Sequence, residues 1–177
     1  MLGSLFASSW RVRTGNPGHL RAFDYTGLYR YFLTFCTNRR QCLFINPEVV
    51  ALVWSQILRS AAREQFAVVA YCFMPDHLHL LVEAQSQNAD CRAFIRRAKQ
   101  LAGFQYARTV GGRLWQRYGF ERVLRDDEAT LIIARYIVEN PVRAGLAASS
   151  ESYPFSGSEV YALGDILAAV GELTRSG

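Results

Sequence analysis

The hydrophobic and polar positions of this chain follow two periods, one typical of strands and one typical of helices. Short runs dense in aromatic and β-branched residues predict four strands, at 31–36, 66–74, 77–83 and 120–124. Apolar residues repeated every three to four positions predict three helices, at about 47–64, 88–108 and 129–139. Pro141 ends the last helix, because the residue before a proline disfavours the helical conformation.

The order of these elements is strand–helix–strand–strand–helix–strand–helix. It is the order of a split βαβ, ferredoxin-like α+β domain with one extra C-terminal helix, and we expect one sheet with its helices packed on one face. Residues 29–145 would form this domain. Residues 1–28 have no period and predict an irregular N-terminal arm, and residues 146–177, rich in Ala, Ser and Gly, predict a C-terminal extension.

Length and composition agree with one folded domain. The chain has 177 residues, of which 50% are hydrophobic, and this is ample material for a core. The absence of any run of about 18 apolar residues excludes a membrane-spanning helix, and the first residues make a poor signal peptide. The cysteines form no CxxC pair and lie mostly in apolar runs, so we expect reduced thiols and a cytoplasmic protein.

The charge of the chain favours an anionic partner. Basic residues outnumber acidic ones by 20 to 15, and all of them except Lys99 are arginines. The planar guanidinium of arginine matches phosphate geometry better than the ammonium group of lysine does. A GC-rich genome would also produce an excess of arginine over lysine. Several arginines stand near aromatic residues, a combination that neutralises phosphates and stacks on unpaired bases. These candidate DNA-binding residues, each of which could also be solvated surface, are Arg39, Arg40, Arg96, Arg97, Arg113 and Arg117.

A pair of histidines lies in the third predicted strand. His77 and His79 are separated by Leu78, and side chains two positions apart on a strand point to the same face. Two imidazoles on one face can share a divalent cation, which suits Mg²⁺- or Mn²⁺-dependent phosphate chemistry. An isolated HxH is a weak motif, and two half-exposed histidines on a sheet would look the same.

A second pair lies at the end of the last predicted helix. Tyr136 and Asn140 are four residues apart and therefore share a helix face. The amide oxygen of an asparagine can complete a metal coordination sphere, and a phenolate can attack phosphorus and hold a covalent intermediate. Packing by the tyrosine and a turn role for the asparagine before Pro141 would explain these residues equally well.

Together the motifs resemble a known family. The segment 71–82 (YCFMPDHLHLLV) is similar to the signature of single-tyrosine HUH transposases of the insertion-sequence type. Further segments resemble the branch called REP-associated tyrosine transposases: 114–117 (LWQR), 125–126 (RD), 136–146 (YIVENPVRAGL) and 153–156 (YPFS). The resemblance runs in consistent order over roughly residues 20–157, and the motifs are specific in combination.

The resemblance implies a fold, a site and a reaction. It implies that His77, His79 and Asn140 bind a divalent metal ion, Mg²⁺ or Mn²⁺, and that Tyr136, on the extra C-terminal helix, is the nucleophile that cuts single-stranded DNA. The implied substrate is a hairpin from a repetitive extragenic palindrome, and the intermediate is a 5′-phosphotyrosine. The protein could act as a monomer or a homodimer. Asp76 stands where many relatives have Asn, a change that removes no ligand.

Two other functions remain compatible with the sequence. The first is a domesticated protein that binds DNA or RNA hairpins through the same fold and basic surface without cutting them. The second is a metal hydrolase that activates a water molecule, for which Asp76 and Glu83 are the only carboxylates near the histidine pair.

Overall fold

A computed structural model describes residues 24–117, 119–124 and 129–169 of the chain. The strands are β1 (Arg30–Cys36), β2 (Phe66–Met74), β3 (His77–Ala84), β4 (Phe120–Leu124) and β5 (Ser156–Gly157). The helices are α1 (Pro47–Arg63), α2 (Cys91–Thr109), α3 (Ala129–Val138), α4 (Asn140–Arg143) and α5 (Leu163–Ala168), with short 3-10 turns at Asn38–Arg40 and Leu43–Ile45. The predicted N-terminal arm lies outside the described residues except for 24–28.

The strands form one sheet in the order β4-β1-β3-β2-β5, and all neighbouring strands are antiparallel. Strand β3 lies between β1 and β2, which α1 connects, and β1 lies between β3 and β4, which α2 connects. One strand of each βαβ unit therefore lies between the two strands of the other unit. The α+β fold class predicted from the element order is confirmed.

The first face of the sheet is covered by α1 and α2. Side chains that alternate along β1 and β3 pack against these helices, so Leu78, Leu80 and Val82 lie in the same core as Ile57 and Phe94. Both helices begin where a side chain caps them: Asn46 accepts a hydrogen bond from the backbone of the first turn of α1, and Asp90 does the same for α2. Trp115 is buried in this core.

The second face of the sheet is also covered, and the expectation that helices pack on one face only is wrong. Helix α3 packs there against Val69 and Ala70 of β2 and against Leu81 of β3. The pairing register between β2 and β3 shifts at Val68–Ala70, and this β-bulge places two consecutive apolar residues on the second face. A strand apolar on both sides needs cover on both sides, since exposed apolar area is unfavourable in water.

The segment after α4 packs against β2 and α3. Strand β5, which the sequence pattern did not predict, pairs with β2. The Tyr153 hydroxyl donates to the carbonyl oxygen of Phe73 at 2.6 Å, and Ile166 of α5 is fully buried beside α3. The division at residue 145 between domain and extension remains a prediction. Among the described residues, no helix has the length and hydrophobicity needed to cross a membrane.

Candidate active site

His77 and His79 lie on the second face of the sheet, the face covered by α3. The alternation along β3 directs Leu78 and Leu80 into the opposite core, so the two imidazoles project together as the sequence predicts. In the pairing register, His79 lies across from Thr34 of β1 and His77 lies across from Cys36. His79 is buried, with 8% of the residue exposed, and the side chain of His77 is 17% exposed.

The two imidazoles face each other through their Nε2 atoms, which are 3.0 Å apart. Their Nδ1 atoms have other partners: Asp76 Oδ1 lies 2.6 Å from that of His77, and Thr34 Oγ1 lies 2.9 Å from that of His79. The Asp76 carboxylate can only accept, so Nδ1 of His77 carries the proton and its Nε2 presents a lone pair. Arg40 holds the other oxygen of Asp76, with its Nε 2.8 Å away.

Both histidines are held in the neutral form. Burial lowers the pKa of His77, with the hydrogen bond and charge of Asp76 acting against this. Burial lowers the pKa of His79 well below its ordinary value, and the positive charges of Arg40 and Arg143 act in the same direction. A neutral imidazole is the form that binds a metal ion, so the site requires no deprotonation at neutral pH.

This donor set fits a divalent cation. Two imidazole nitrogens at right angles and each about 2.1 Å from one cation would be about 3.0 Å apart, which matches the separation of the Nε2 atoms. The carboxylate behind His77 is the kind of partner that orients metal-binding histidines. Within the described ranges no group of three or more His, Cys, Asp and Glu side chains could hold a metal. Among these described residues, a further ligand would have to be another kind of donor, such as an amide oxygen.

Tyr136 lies on α3 and faces the same side of the sheet as the histidines. Phe32 of β1 connects them: its ring centroid is 5.4 Å from that of His79 and 6.5 Å from that of Tyr136. Helix α3 is positioned for this by Ile133, Ala134 and Ile137, which are buried against β2 and β3. Packing of one helix thus places Tyr136 and His79, more than fifty residues apart in the chain, against the same Phe32 ring.

Asn140 lies one turn beyond Tyr136, where α3 ends and α4 begins. Its Nδ2 donates to the carbonyl oxygen of Tyr136 at 3.1 Å. Since a carbonyl selects the amide nitrogen as its partner, Oδ1 is the atom that remains for a metal ion. Pro141 does not end helical structure here, because it takes an early position in α4, where a missing N–H costs no hydrogen bond.

The six predicted DNA-binding arginines fall into two groups. Arg39 and Arg40 follow β1, and Arg113 and Arg117 flank Trp115, which forms a bridge to Thr37 just beyond β1. This group lies at the end of the sheet where His77 begins β3. Arg96 and Arg97 lie on α2, which covers the opposite face, and Arg97 forms an ion pair with Glu64. The structure brings the first group, but not the second, close to the imidazole end of the sheet.

Several residues around this candidate site were given no role, or a different role, in the sequence interpretation. Thr34 and Phe32 lie in an apolar strand with no motif of their own, and only the pairing register reveals them. Asp76 stood beside the histidines as a possible base, and the structure places it behind His77 as a hydrogen-bond acceptor. Arg143 stands seven residues after Tyr136, a spacing of two helical turns that could have indicated a shared face.

The family model described as IS200-like transposase matches residues 26–140. A Haemophilus influenzae protein of uncharacterised function is 26% identical over 156 residues, covering 70% of this chain and 86% of its own. A second protein from the same organism, described provisionally as a REP-associated tyrosine transposase, is 24% identical over 152 residues, covering 75% of this chain and 81% of its own.

One solved structure matches the fold over most of its length. It is a REP-associated tyrosine transposase bound to a REP hairpin, with a TM-score of 0.64 at 22% sequence identity. The match covers 78% of this chain and 81% of that one.

Proposed function

The chain belongs to the family of IS200-like transposases, and from this membership we propose that it is a REP-associated transposase that cuts and rejoins single-stranded DNA beside a hairpin. In this proposal Tyr136 is the nucleophile, His77, His79 and Asn140 hold a divalent metal ion, and the intermediate is a 5′-phosphotyrosine. The strongest support is one observation: Phe32 contacts both the His79 ring and the Tyr136 ring on one face of the sheet.

The reaction requires little from the protein beyond placement and charge. The Oη atom of Tyr136 loses its proton and forms a bond to the scissile phosphorus, the bond from phosphorus to the 3′-oxygen breaks, and this oxygen takes up a proton. A later 3′-hydroxyl reverses the exchange and releases the tyrosine, so the phosphodiester bond energy is conserved. A well-placed nucleophile can contribute about 7–11 kcal/mol of the barrier reduction. A bound Mg²⁺ or Mn²⁺ would neutralise charge on the phosphate oxygens.

The metal ligands are prepared by their neighbours. Asp76 fixes the His77 imidazole with its Nε2 lone pair presented, and burial keeps both imidazoles neutral. Asn140 is held through its amide nitrogen by the Tyr136 carbonyl, which links a proposed ligand to the proposed nucleophile. The same helix end therefore carries both groups.

The proposed substrate is a DNA hairpin with unpaired flanking bases. The related structure contains a REP hairpin, and the net charge of +5 suits a phosphate backbone. Arg39, Arg40, Arg113 and Arg117 lie at the imidazole end of the sheet, where they could neutralise phosphates that flank the cut. Trp115 is not proposed as a stacking platform, because it is 5% exposed and belongs to the core.

The decisive test is a covalent adduct between the protein and DNA. We expect purified protein, Mn²⁺ and an end-labelled hairpin oligonucleotide with flanking single strands to give a labelled band that survives denaturation. The band should disappear with EDTA and in Tyr136→Phe, which should still shift the hairpin in a native gel. Tyr153→Phe is the matched control, because this tyrosine contacts the Phe73 carbonyl rather than the histidine pair, and it should still form the adduct.

The other two functions would give different products. A hairpin shift with no adduct in any metal would mean that the protein binds without cutting. Cleavage with no protein-linked product would mean water attack, for which Asp76 is poorly placed because its carboxylate is already engaged by His77 and Arg40.

A further inference from the structure

Arg143 makes a set of contacts around Tyr136 that the reaction described above does not use. The guanidinium carbon lies over the Tyr136 ring, 4.1 Å from its centroid. One terminal nitrogen, Nη2, donates to the carbonyl oxygen of Tyr136, and the other, Nη1, lies 3.2 Å from Glu139 Oε2. A single side chain thus contacts both the ring and the backbone of the proposed nucleophile.

The contacts lie at the junction between α3 and α4. Helix α3 ends at Val138 and α4 begins at Asn140, so the last carbonyls of α3 lack the full set of helical partners. Tyr136 contributes one of these carbonyls, and Asn140 and Arg143 both donate to it. A positive charge beside carbonyls at a helix C-terminus is also favourable to the helix.

We propose that Arg143 is a positioning residue that fixes the Tyr136 ring between its guanidinium and Phe32 for attack on phosphorus. The inference rests on the proposed function, because it assigns Arg143 to the same reaction. The Phe32 ring meets the Tyr136 ring edge-on, at an interplanar angle of 87°. With the cation over the ring and an edge contact to a neighbouring aromatic, the direction of the phenol oxygen is set before DNA arrives.

Arginine suits this role in a way that lysine does not. Its planar guanidinium can stack on a ring while its fork of N–H groups donates to two acceptors, whereas an ammonium group is a point charge. The side chain is 37% exposed, so it contributes little to the core and can be replaced without creating a cavity. Glu139 forms an ion pair with the guanidinium of Arg143 and a second one with Arg135.

Arg135 provides a matched control. It lies on α3 and has an ion pair with the same Glu139, 2.7 Å long, but its other contact is the carbonyl of Ala169. Arg135→Gln therefore removes one arginine and one ion pair to Glu139, and it leaves the contacts of Arg143 with Tyr136 in place. An effect of Arg143→Gln that Arg135→Gln lacks belongs to the contacts with Tyr136.

The first experiment measures adduct formation with a labelled hairpin at saturating DNA. We expect Arg143→Gln to reduce the rate about tenfold or more, since small misplacement of a nucleophile is costly, with hairpin affinity unchanged. Arg143→Lys should recover part of the rate because it restores the charge without the fork. Arg135→Gln should retain the wild-type rate. An equal loss of rate and affinity in Arg143→Gln would overturn the proposal, because it would make Arg143 a DNA ligand instead.

The second experiment needs no DNA and no metal. In protein with ¹³C-labelled tyrosine rings, the Tyr136 signals are those missing from Tyr136→Phe. We expect these signals to shift in Arg143→Gln and to stay in place in Arg135→Gln. Unchanged Tyr136 signals in Arg143→Gln would refute the positioning role even if activity fell. A wild-type protein that forms no adduct but shows the expected shifts would instead count against the proposed function alone.

Discussion

Thr34 provides a stringent test of how the histidine pair is prepared. It lies directly opposite His79 in the sheet, it is buried with 2% of the residue exposed, and its Oγ1 is 2.9 Å from Nδ1 of His79. The perturbation is Thr34→Val, which keeps the shape of the side chain and removes the hydroxyl. Thr34→Ser is the control, because it keeps the hydroxyl and removes a methyl group.

The hydroxyl would be needed both in the metal-free site and in the proposed metal-bound site. Asp76 makes Nε2 of His77 an acceptor, so the contact of 3.0 Å between the Nε2 atoms requires a proton on Nε2 of His79 when no metal is bound. Nδ1 of His79 then accepts from Thr34. In the proposed metal-bound state, Nε2 of His79 would bind the cation, so the proton would lie on Nδ1 and the Thr34 hydroxyl would accept a hydrogen bond from it. A hydroxyl can do both, and valine can do neither.

The expected magnitudes follow from this exchange. In the metal-free protein, Thr34→Val leaves a buried imidazole nitrogen without a partner, which costs about 1–3 kcal/mol of the free energy of unfolding. For metal binding, loss of a hydrogen-bond partner behind a ligand typically lowers affinity about 10- to 100-fold. Thr34→Ser loses only the methyl contribution, about 0.8 kcal/mol of stability, and should bind metal as the wild type does.

The assay is a titration with Mn²⁺ in which the free ion is measured by electron paramagnetic resonance, with urea unfolding of the metal-free variants alongside. We expect the Mn²⁺ dissociation constants to rank wild type and Thr34→Ser together, with Thr34→Val well above both. Equal dissociation constants for the valine and serine variants would refute the reasoning. It would show that the Thr34 contact is incidental to metal binding.

Two further predictions concern the acid response and the packing of α3. Burial lowers the pKa of His77 and of His79 in the folded protein. The unfolded chain takes up these two protons near pH 6.5, whereas the folded chain takes them up only at lower pH. The free energy of unfolding of the metal-free protein should therefore fall as the pH drops below about 6.5. Urea titrations at pH 7 and pH 5 should show this loss, and a His79→Gln variant with an unchanged loss would contradict it. Ala134 is fully buried against the sheet, so Ala134→Leu should cost about 1–3 kcal/mol of stability and displace Tyr136, reducing adduct formation while hairpin binding persists. Ala62→Leu, at an exposed position on α1, should change neither stability nor adduct formation. A wild-type adduct rate in Ala134→Leu would show that α3 does not position Tyr136 for the reaction.

Local patterns along the chain determined the elements and their order. Helix α1 was predicted at about 47–64 and runs from Pro47 to Arg63, and the predicted strand at 66–74 is β2. These predictions succeeded because a cap, a proline and an apolar period act over a few residues. The common direction of His77 and His79 follows from the two-residue period of a strand, and the register with β1 agrees with it. The names of the site residues came from the resemblance of ordered motifs, and their roles remain proposals.

Tertiary structure decided which residues from distant parts of the chain come into contact. The apolar run of β2 could be read from the sequence, but only the β-bulge at Val68–Ala70 reveals that two neighbouring residues face α3. Thr34 and Phe32 enter the site through strand pairing between segments more than forty residues apart, which no local period encodes. The pKa of His79 is lowered by burial and by nearby positive charge, and both of these exist only in the assembled sheet. The chain thus specified its elements by short-range preferences, and the docking of α3 on the second face of the sheet brought Tyr136 to the same face as the histidine pair.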